Sequence, residues 1–329
     1  MRHVSTVAVL WAVLAASAGA RDIYVNNLGG DDRFDGSAPV SGASNAGPCR
    51  TIASALLAAR TGDRVVLANA GEPYRESLTL QAKRHSGTVD HPFELVGNGA
   101  TLEGAAPIPD SAWEHVRGEV FRFSPSRKAY QLLFLGGRPA HRVPVEAFAL
   151  RAPELEPLQW CLFERSVYFR AEPGRLPQHY GLTHAALPVG ITLYEVRNVV
   201  LSDLIVQGFQ VDGINAHDSV FNASLRGLKC RGNARSGISI GGASQVTIIG
   251  CVVGNNGVAQ VRTEGYSHTH IIDSDLLGNT APPLVREGGR VYVEQAPQDA
   301  TPQAFVPKSP GRNVADWLSS PLLVRRTAY

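Results

Sequence analysis

Between residues 200 and 290 the apolar and polar positions repeat. Four segments superpose: VLSDLIVQGF from Val200, SLRGLKCRGN from Ser224, TIIGCVVGNN from Thr247 and IIDSDLLGNT from Ile271. Taking Leu201, Leu225, Ile248 and Ile272 as equivalent gives steps of 24, 23 and 24 residues. A second feature, GINAHD, GISIGG, QVRTEG and LVREGG, keeps the same steps through Ile214, Ile238, Val261 and Val285. Each unit holds short alternating runs broken by Gly or Asn. Alternation places every second side chain on one face, the signature of a strand. Three strands with turns fit the period, whereas a helical hairpin this rich in Gly and Val does not. The LxxLxLxxN pattern of a leucine-rich solenoid is missing. Successive units are therefore expected to pair in parallel about 4.8 Å apart and to bury a core by stacking. The fold class is all-β, a parallel β-helix.

The flanks differ. TIASALLAAR (51–60) places Ile52, Ala55, Leu56 and Ala59 on one helical face. Thr51 is suited to N-cap it and Thr61–Gly62–Asp63 to stop it, which predicts an N-terminal cap over the open solenoid end. DRVVLAN, SLTLQA, FELVGN and ATLEGA then read as the first strands. Residues 106–189 abandon the period and are rich in aromatics and Pro, predicting a small antiparallel β insertion. Two roles are open to it: a layer shielding the solenoid, or one wall of a cleft with Trp160, Tyr168 and Tyr180 stacking on sugars.

Residues 1–20 carry Arg2 and His3, an apolar run from Val7 to Ala16, and Ala18–Gly19–Ala20, the pattern of a secretory signal peptide. The expected division is 1–20 signal peptide, 21–105 cap and first coils, 106–189 insertion, 190–298 regular coils, and 299–329 a Pro-rich covering segment. This implies a secreted or periplasmic product, with no membrane attachment after cleavage, acting as a monomer.

Composition adds limits. Gly and Pro number 33 and 21 in 329 residues, fitting many short elements and tight turns. The net charge of +2 gives no reason to expect nucleic acid as a partner. Cys49, Cys161, Cys230 and Cys251 lack CxxC spacing. Cys230 and Cys251 fall on neighbouring coils two residues out of register, roughly 8 Å apart by strand spacing. That is too far for a disulfide, so buried free thiols are expected.

DIYVNNLGGDD, GPCRTIASALLAARTGDRVVLANAGEPYRESLTL and GTVDHPFELVGNGATLEG resemble the start of secreted right-handed parallel β-helix proteins of the pectin-lyase-like superfamily. The resemblance covers residues 22–105 and 190–295. It implies a right-handed solenoid. It does not imply one activity, because the superfamily holds lyases, hydrolases, epimerases and non-enzymatic adhesins.

Alternation directs side chains outward on the GINAHD strand series. One outward column is expected to hold Asn215, Ser239, Arg262 and Arg286, and the next His217, Gly241, Glu264 and Gly288, with Asp212 at the turn before. Arg262 and Arg286 one coil apart would bind an anion between them, and a uronic carboxylate matches guanidinium geometry. The competing reading pairs each with Glu264 or Glu287. A uronide lyase would use Arg262 or Arg286 to neutralise the carboxylate, and His217, Tyr266 or His268 as base or acid. A hydrolase needs two carboxyl groups, for which Asp212, Asp218 and Glu264 are candidates; Asp212 and Glu264, two coils apart, reach the edge of the inverting range. DGI and SGISIGG resemble polygalacturonase strands, but that family's paired Asp and Gly-His-Gly are missing.

The expected site is thus His217, Glu264 and Asp212 for chemistry and Arg262, Arg286 and Asn215 for substrate, with an acidic polysaccharide as partner. The alternative is a non-catalytic β-helix that binds glycan or a surface. No metal site is assigned, and Ca²⁺ is the one cofactor left open. Gly29–Gly36 carries three carboxylates that could hold Ca²⁺ but also reads as turn chemistry. Asn233, Asn256 and, one residue off, Asn279 look like an Asn ladder. Asp273 and Asp275 are expected to be turned out by a bulge.

Overall fold

The computed structural model describes residues 20–42, 44–127 and 129–294; the signal-peptide and covering-segment readings fall outside them. The chain is a right-handed parallel β-helix, all-β apart from one α-helix and two short 3₁₀ turns among the described residues. The long sheet runs through Asp22–Val25, Arg64–Leu67, Phe93–Val96, Arg197–Ser202, Phe221–Arg226, Gln245–Ile249, His268–Ile272 and Arg290–Glu294. A second sheet stacks Leu78–Gln81, Ile191–Tyr194, Asp212–His217, Ser236–Ile240, Ala259–Thr263 and Leu284–Arg286. A third stacks Thr101–Glu103, Ile205–Gln207, Lys229–Arg231, Val252–Gly254 and Asp275–Leu276.

Leu201, Leu225 and Ile248 share one buried column, as the repeat predicts. The fourth member is Ile271, not Ile272. Two adjacent isoleucines leave the period ambiguous, and their neighbours resolve it. With Ile271 inward, Thr269 points in and His268 and His270 point out. The other parity would bury both imidazoles, which costs more than burying one hydroxyl. The same slip carries into the last coil, where Leu284 rather than Val285 pairs with Val261.

The helix Ile52–Ala58 forms where its apolar spacing predicts, with Ile52, Ala55 and Leu56 buried against the first strands. Thr51 Oγ1 accepts from Ser54 N at 3.1 Å. The Glu76 carboxylate accepts from Ile52 N and Ala53 N, both at 2.8 Å, a second cap from a residue 24 positions away. The Gly29–Gly36 carboxylates are occupied locally. Asp31 pairs with Arg33, Asp32 accepts from Arg50 N and Thr51 N, and Asp35 accepts from Ser37 N. Among the described residues no group of three His, Cys, Asp or Glu is placed to hold a metal ion.

The Asn ladder is present. Asn256 Oδ1 accepts from Asn233 N at 2.9 Å, and its Nδ2 donates to Cys230 O, Gly254 O and Gln260 Oε1. Asn279 stacks instead on Asn255, at an exposed rung. Cys230 stacks with Val206 and Val253, while Cys251 leads the adjoining strand two positions out of that column. All four thiols are buried and unpaired, and burial pushes Cys251 up to about 12. Asp273 adopts a left-handed backbone, and Asp275 is exposed.

Between residues 105 and 185 the strands pair antiparallel, in two four-stranded sheets around Phe121, Phe134, Trp160 and Phe169. Trp160 is fully buried, its Nε1 donating to Ala140 O, and Tyr168 is buried too. Tyr180 Oη accepts from Glu172 N. These rings are core and anchors, which decides against the stacking role and leaves the shielding one. They lie inward because a small antiparallel layer needs its own bulky core.

A buried polar ladder marks where this layer leaves the solenoid. Glu103 accepts from Ala105 N at 2.8 Å and from Gln207 Nε2 at 2.7 Å, and Gln207 Oε1 accepts from Arg231 Nε. Burial lifts Glu103 from 4.5 to about 7. A raised carboxylate gives stability that is complete below the unfolded value. That stability declines as pH climbs from 4.5 to about 7, because the unfolded chain ionises first. Urea unfolding at pH 5 and pH 8 is therefore expected to show a loss of roughly 3 kcal/mol in the native chain relative to Glu103→Gln. Equal pH dependence in both would contradict it.

Candidate functional site

The outward face of the second sheet carries two columns. One runs Thr192, Asn215, Ser239, Arg262 and Val285. The next begins with Tyr194 and His217, which pair directly, and continues through Gly241 to Glu264. The shifted last coil alters the top of both columns. Arg286 pairs with Thr263, so the next position, Glu287, stands over Glu264. The expected stack of two arginines is instead a stack of two glutamates, with Val285 over Arg262.

Arg262 is held by this pair. Its Nη2 donates to Glu264 Oε2 at 2.8 Å and also to Glu287 Oε2. The guanidinium is mostly buried, while the two carboxylates are about half exposed. Arg286 is exposed and donates to Gly289 O. The anion-binding arginine pair is therefore corrected: one member is neutralised by two carboxylates and the other has left the column. Sharing one nitrogen bounds the two carboxylate oxygens to within about two hydrogen-bond lengths, roughly 5.5 Å. The positive charge between them offsets their repulsion.

Gly241 leaves room beside the pair. A Cβ there would come within 2.8 Å of Glu264 Oε1, so the Glu264 carboxylate lies across the glycine, toward the coil of His217. His217 Nδ1 bonds Asp218 Oδ2 at 2.7 Å, and the His217 ring meets Tyr194 edge-on at 5.5 Å. With Asp218 accepting from Nδ1–H, Nε2 is left as an acceptor. Asn215 lies partly buried two coils from Arg262.

Asp212 is not available for chemistry as expected. It is fully buried, and Arg235 Nε donates to its Oδ1 at 3.0 Å, with Nη2 on the other oxygen. Burial raises it and Arg235 opposes the rise. The reason is local. Gly213 and Ile214 both face inward, since a Cβ on Gly213 would meet Asn233 Nδ2 at 2.7 Å. That doubling turns Asp212 out of the core and under Arg235. Tyr130 of the insertion lies against the same guanidinium, 5.8 Å from it, and Gln210 Nε2 donates to Arg127 O. The insertion thus walls the rear of this face. Sequence reasoning misses Arg235, Tyr194 and Tyr130, and names Glu287 only as an ion-pair partner, a pairing that Arg262 makes with both glutamates. Glu287 is visible in LVREGG, but the repeat gives that segment the wrong parity.

No protein-family model and no curated protein sequence matches the chain. Solved structures do. A glycoside hydrolase aligns with a TM-score of 0.53 at 12 % identity, covering 78 % of this chain and 73 % of its own. XylC in complex with xylose gives 0.41 at 12 % identity over 83 % and 69 %, and pectate lyase Pel9A 0.38 at 11 % over 78 % and 54 %. At such identity the likeness concerns the fold alone, a right-handed parallel β-helix.

Proposed function

We propose that this chain is an exported glycoside hydrolase whose carboxyl pair is Glu264 and Glu287. The observation that carries the reading is the sharing of Arg262 Nη2 by two half-exposed carboxylates on adjacent coils. Sharing one nitrogen keeps their near oxygens no more than roughly 5.5 Å apart, which is compatible with the about 5–5.5 Å used for retention of anomeric configuration and shorter than the about 6.5–9.5 Å used for inversion. One carboxyl attacks the anomeric carbon and the other protonates the departing oxygen, then activates the water that releases the sugar. Arg262 positions both. His217, fixed by Asp218, and Tyr194 continue the column beyond Gly241. The fold likeness to a glycoside hydrolase is consistent with this chemistry.

The substrate is a polysaccharide. Paired arginines would favour an acidic chain. With Arg262 occupied and Arg286 out of column, the face offers two carboxylates to a passing chain, and like charge disfavours a polyuronide. A neutral glycan is the better fit. Export rests on residues 1–20, and the mature protein is expected in the culture medium or periplasm.

The test is an assay of the purified protein on neutral polysaccharides (xylan, mannan, xyloglucan, mixed-linkage glucan) beside polygalacturonate and alginate. New reducing ends from a neutral chain, with retained anomers by proton NMR, are expected. Unsaturated products absorbing in the near ultraviolet, or no cleavage of any substrate, would overturn the proposal.

A further inference from the structure

The long sheet carries an open groove of about 320 Å³ at its C-terminal end, outside the carboxylate face. It is lined by Asn222, Gln245, His268, His270, Tyr292 and Glu294, among others. These are outward positions of four consecutive coils. Gln245 pairs in register with His268, and Thr247 with His270 and then Tyr292. Elsewhere the same sheet face is satisfied by ion pairs, as where Arg64 reaches both Asp22 and Glu94. Here the lining is two carboxamides, two imidazoles and a tyrosine ring, with the Glu294 carboxylate on His270 Nε2 at 2.9 Å. Asn222 Nδ2 is spent on Asn198 Oδ1, which leaves its own carbonyl oxygen to accept.

The groove and the carboxylate face lie on successive strands of the same coil. Only Gly265, Tyr266 and Ser267 separate Glu264 from His268, a span of at most about 14 Å of chain. Tyr266, at 87 % exposure, stands on that corner, and Tyr292, at 56 %, stands in the groove. Exposed aromatic rings beside uncharged donors and acceptors match a ligand with both apolar faces and many hydroxyls. Rings supply stacking area and carboxamides bond paired hydroxyls in both directions. The near-neutral lining disfavours a polyanion.

We infer that this groove is a second, non-catalytic carbohydrate site, which holds a neutral polysaccharide that rounds the Tyr266 corner. The chain would lie on Tyr292, with hydroxyls bonded by Gln245, His268 and Asn222. The inference concerns binding and stands apart from whether Glu264 and Glu287 cleave anything.

Affinity electrophoresis of the full mature chain through gels holding xylan, mannan, xyloglucan or mixed-linkage glucan tests it. Wild type is expected to be retarded by at least one of these. Tyr292→Ala, and separately Gln245→Ala combined with His268→Ala, should weaken that retardation about tenfold. Far-UV circular dichroism and hydrolysis of a short aryl glycoside should stay unchanged. Glu287→Gln should keep the retardation while losing hydrolysis. Retardation unaffected by the groove substitutions, or no retardation in any gel, overturns the inference. Retardation that depends on Tyr292 in a protein that cleaves nothing supports the groove and refutes the hydrolase reading alone.

Discussion

Glu264→Gln and Glu287→Gln should each lower kcat on the susceptible glycan by about 10²–10⁴-fold, the range lost with a general acid–base group. Glutamine keeps the shape of the side chain, and Arg262 retains the other carboxylate as partner in each variant. The loss should therefore appear without a change in unfolding midpoint. The double variant should be little worse than the poorer single, because the two groups act in one reaction and their effects do not add. Added azide should distinguish them. In the variant lacking the nucleophile it attacks the anomeric carbon directly and gives an inverted glycosyl azide. In the variant lacking the acid–base group it intercepts the glycosyl-enzyme and gives a retained one. If both single variants keep activity within about tenfold of wild type, the carboxylates are only the salt-bridge partners of Arg262.

Asn256→Ala should be the most damaging single change to the scaffold. The Asn256 side chain is fully buried and its substitution strands Asn233 N–H and takes a donor from Cys230 C=O and Gly254 C=O, while Gln260 Oε1 keeps only the Asn256 backbone N–H. Each buried group left without a partner costs about 1–3 kcal/mol. A loss on the order of 4 kcal/mol is expected, a large share of a typical domain's stability of about 5–15 kcal/mol. Asn279→Ala is the internal comparison. Asn279 makes the same kind of bond, to Asn255 N at 3.0 Å, but in solvent. Water replaces that partner, so the cost should stay under about 1 kcal/mol. Urea denaturation of the two variants measures both values. If Asn256→Ala lies within about 1 kcal/mol of wild type, the ladder does not hold the corner together.

The same residues show how far the sequence can be read. Asn233 and Asn256 are recognisable as ladder rungs because a buried turn needs a side chain that both donates and accepts, and the period places them at one corner. Asn279, one residue off, is recognisable as an exception. The cap helix is legible for a similar reason: Thr51 and the spacing of Ile52, Ala55 and Leu56 are local signals. Glu76, which caps the same helix from another coil, carries no local signal at all.

The carboxylate face is legible only in part. His217, Gly241 and Glu264 fall in one column as the alternation requires. Glu287 and Arg286 do not fall where expected, because Ile271–Ile272 and Leu284–Val285 each present two adjacent apolar residues to a period-two pattern. A slip of one residue exchanges every inward and outward side chain beyond it. It converts a predicted pair of arginines into an observed pair of glutamates, and so removes the argument for an acidic ligand.

Repeat length, strand content, the capping helix and the antiparallel nature of the insertion were determined by the sequence alone, since each depends on residues close in the chain or on a period kept over several coils. The tertiary structure decided the register of the last coils, the burial of Asp212 under Arg235, the packing of Trp160 into the insertion, and the meeting of Glu264 with Glu287 on one guanidinium. These depend on which of two nearly equivalent faces is cheaper to bury, His268 and His270 or Thr269, and that comparison exists only when neighbouring coils are in contact.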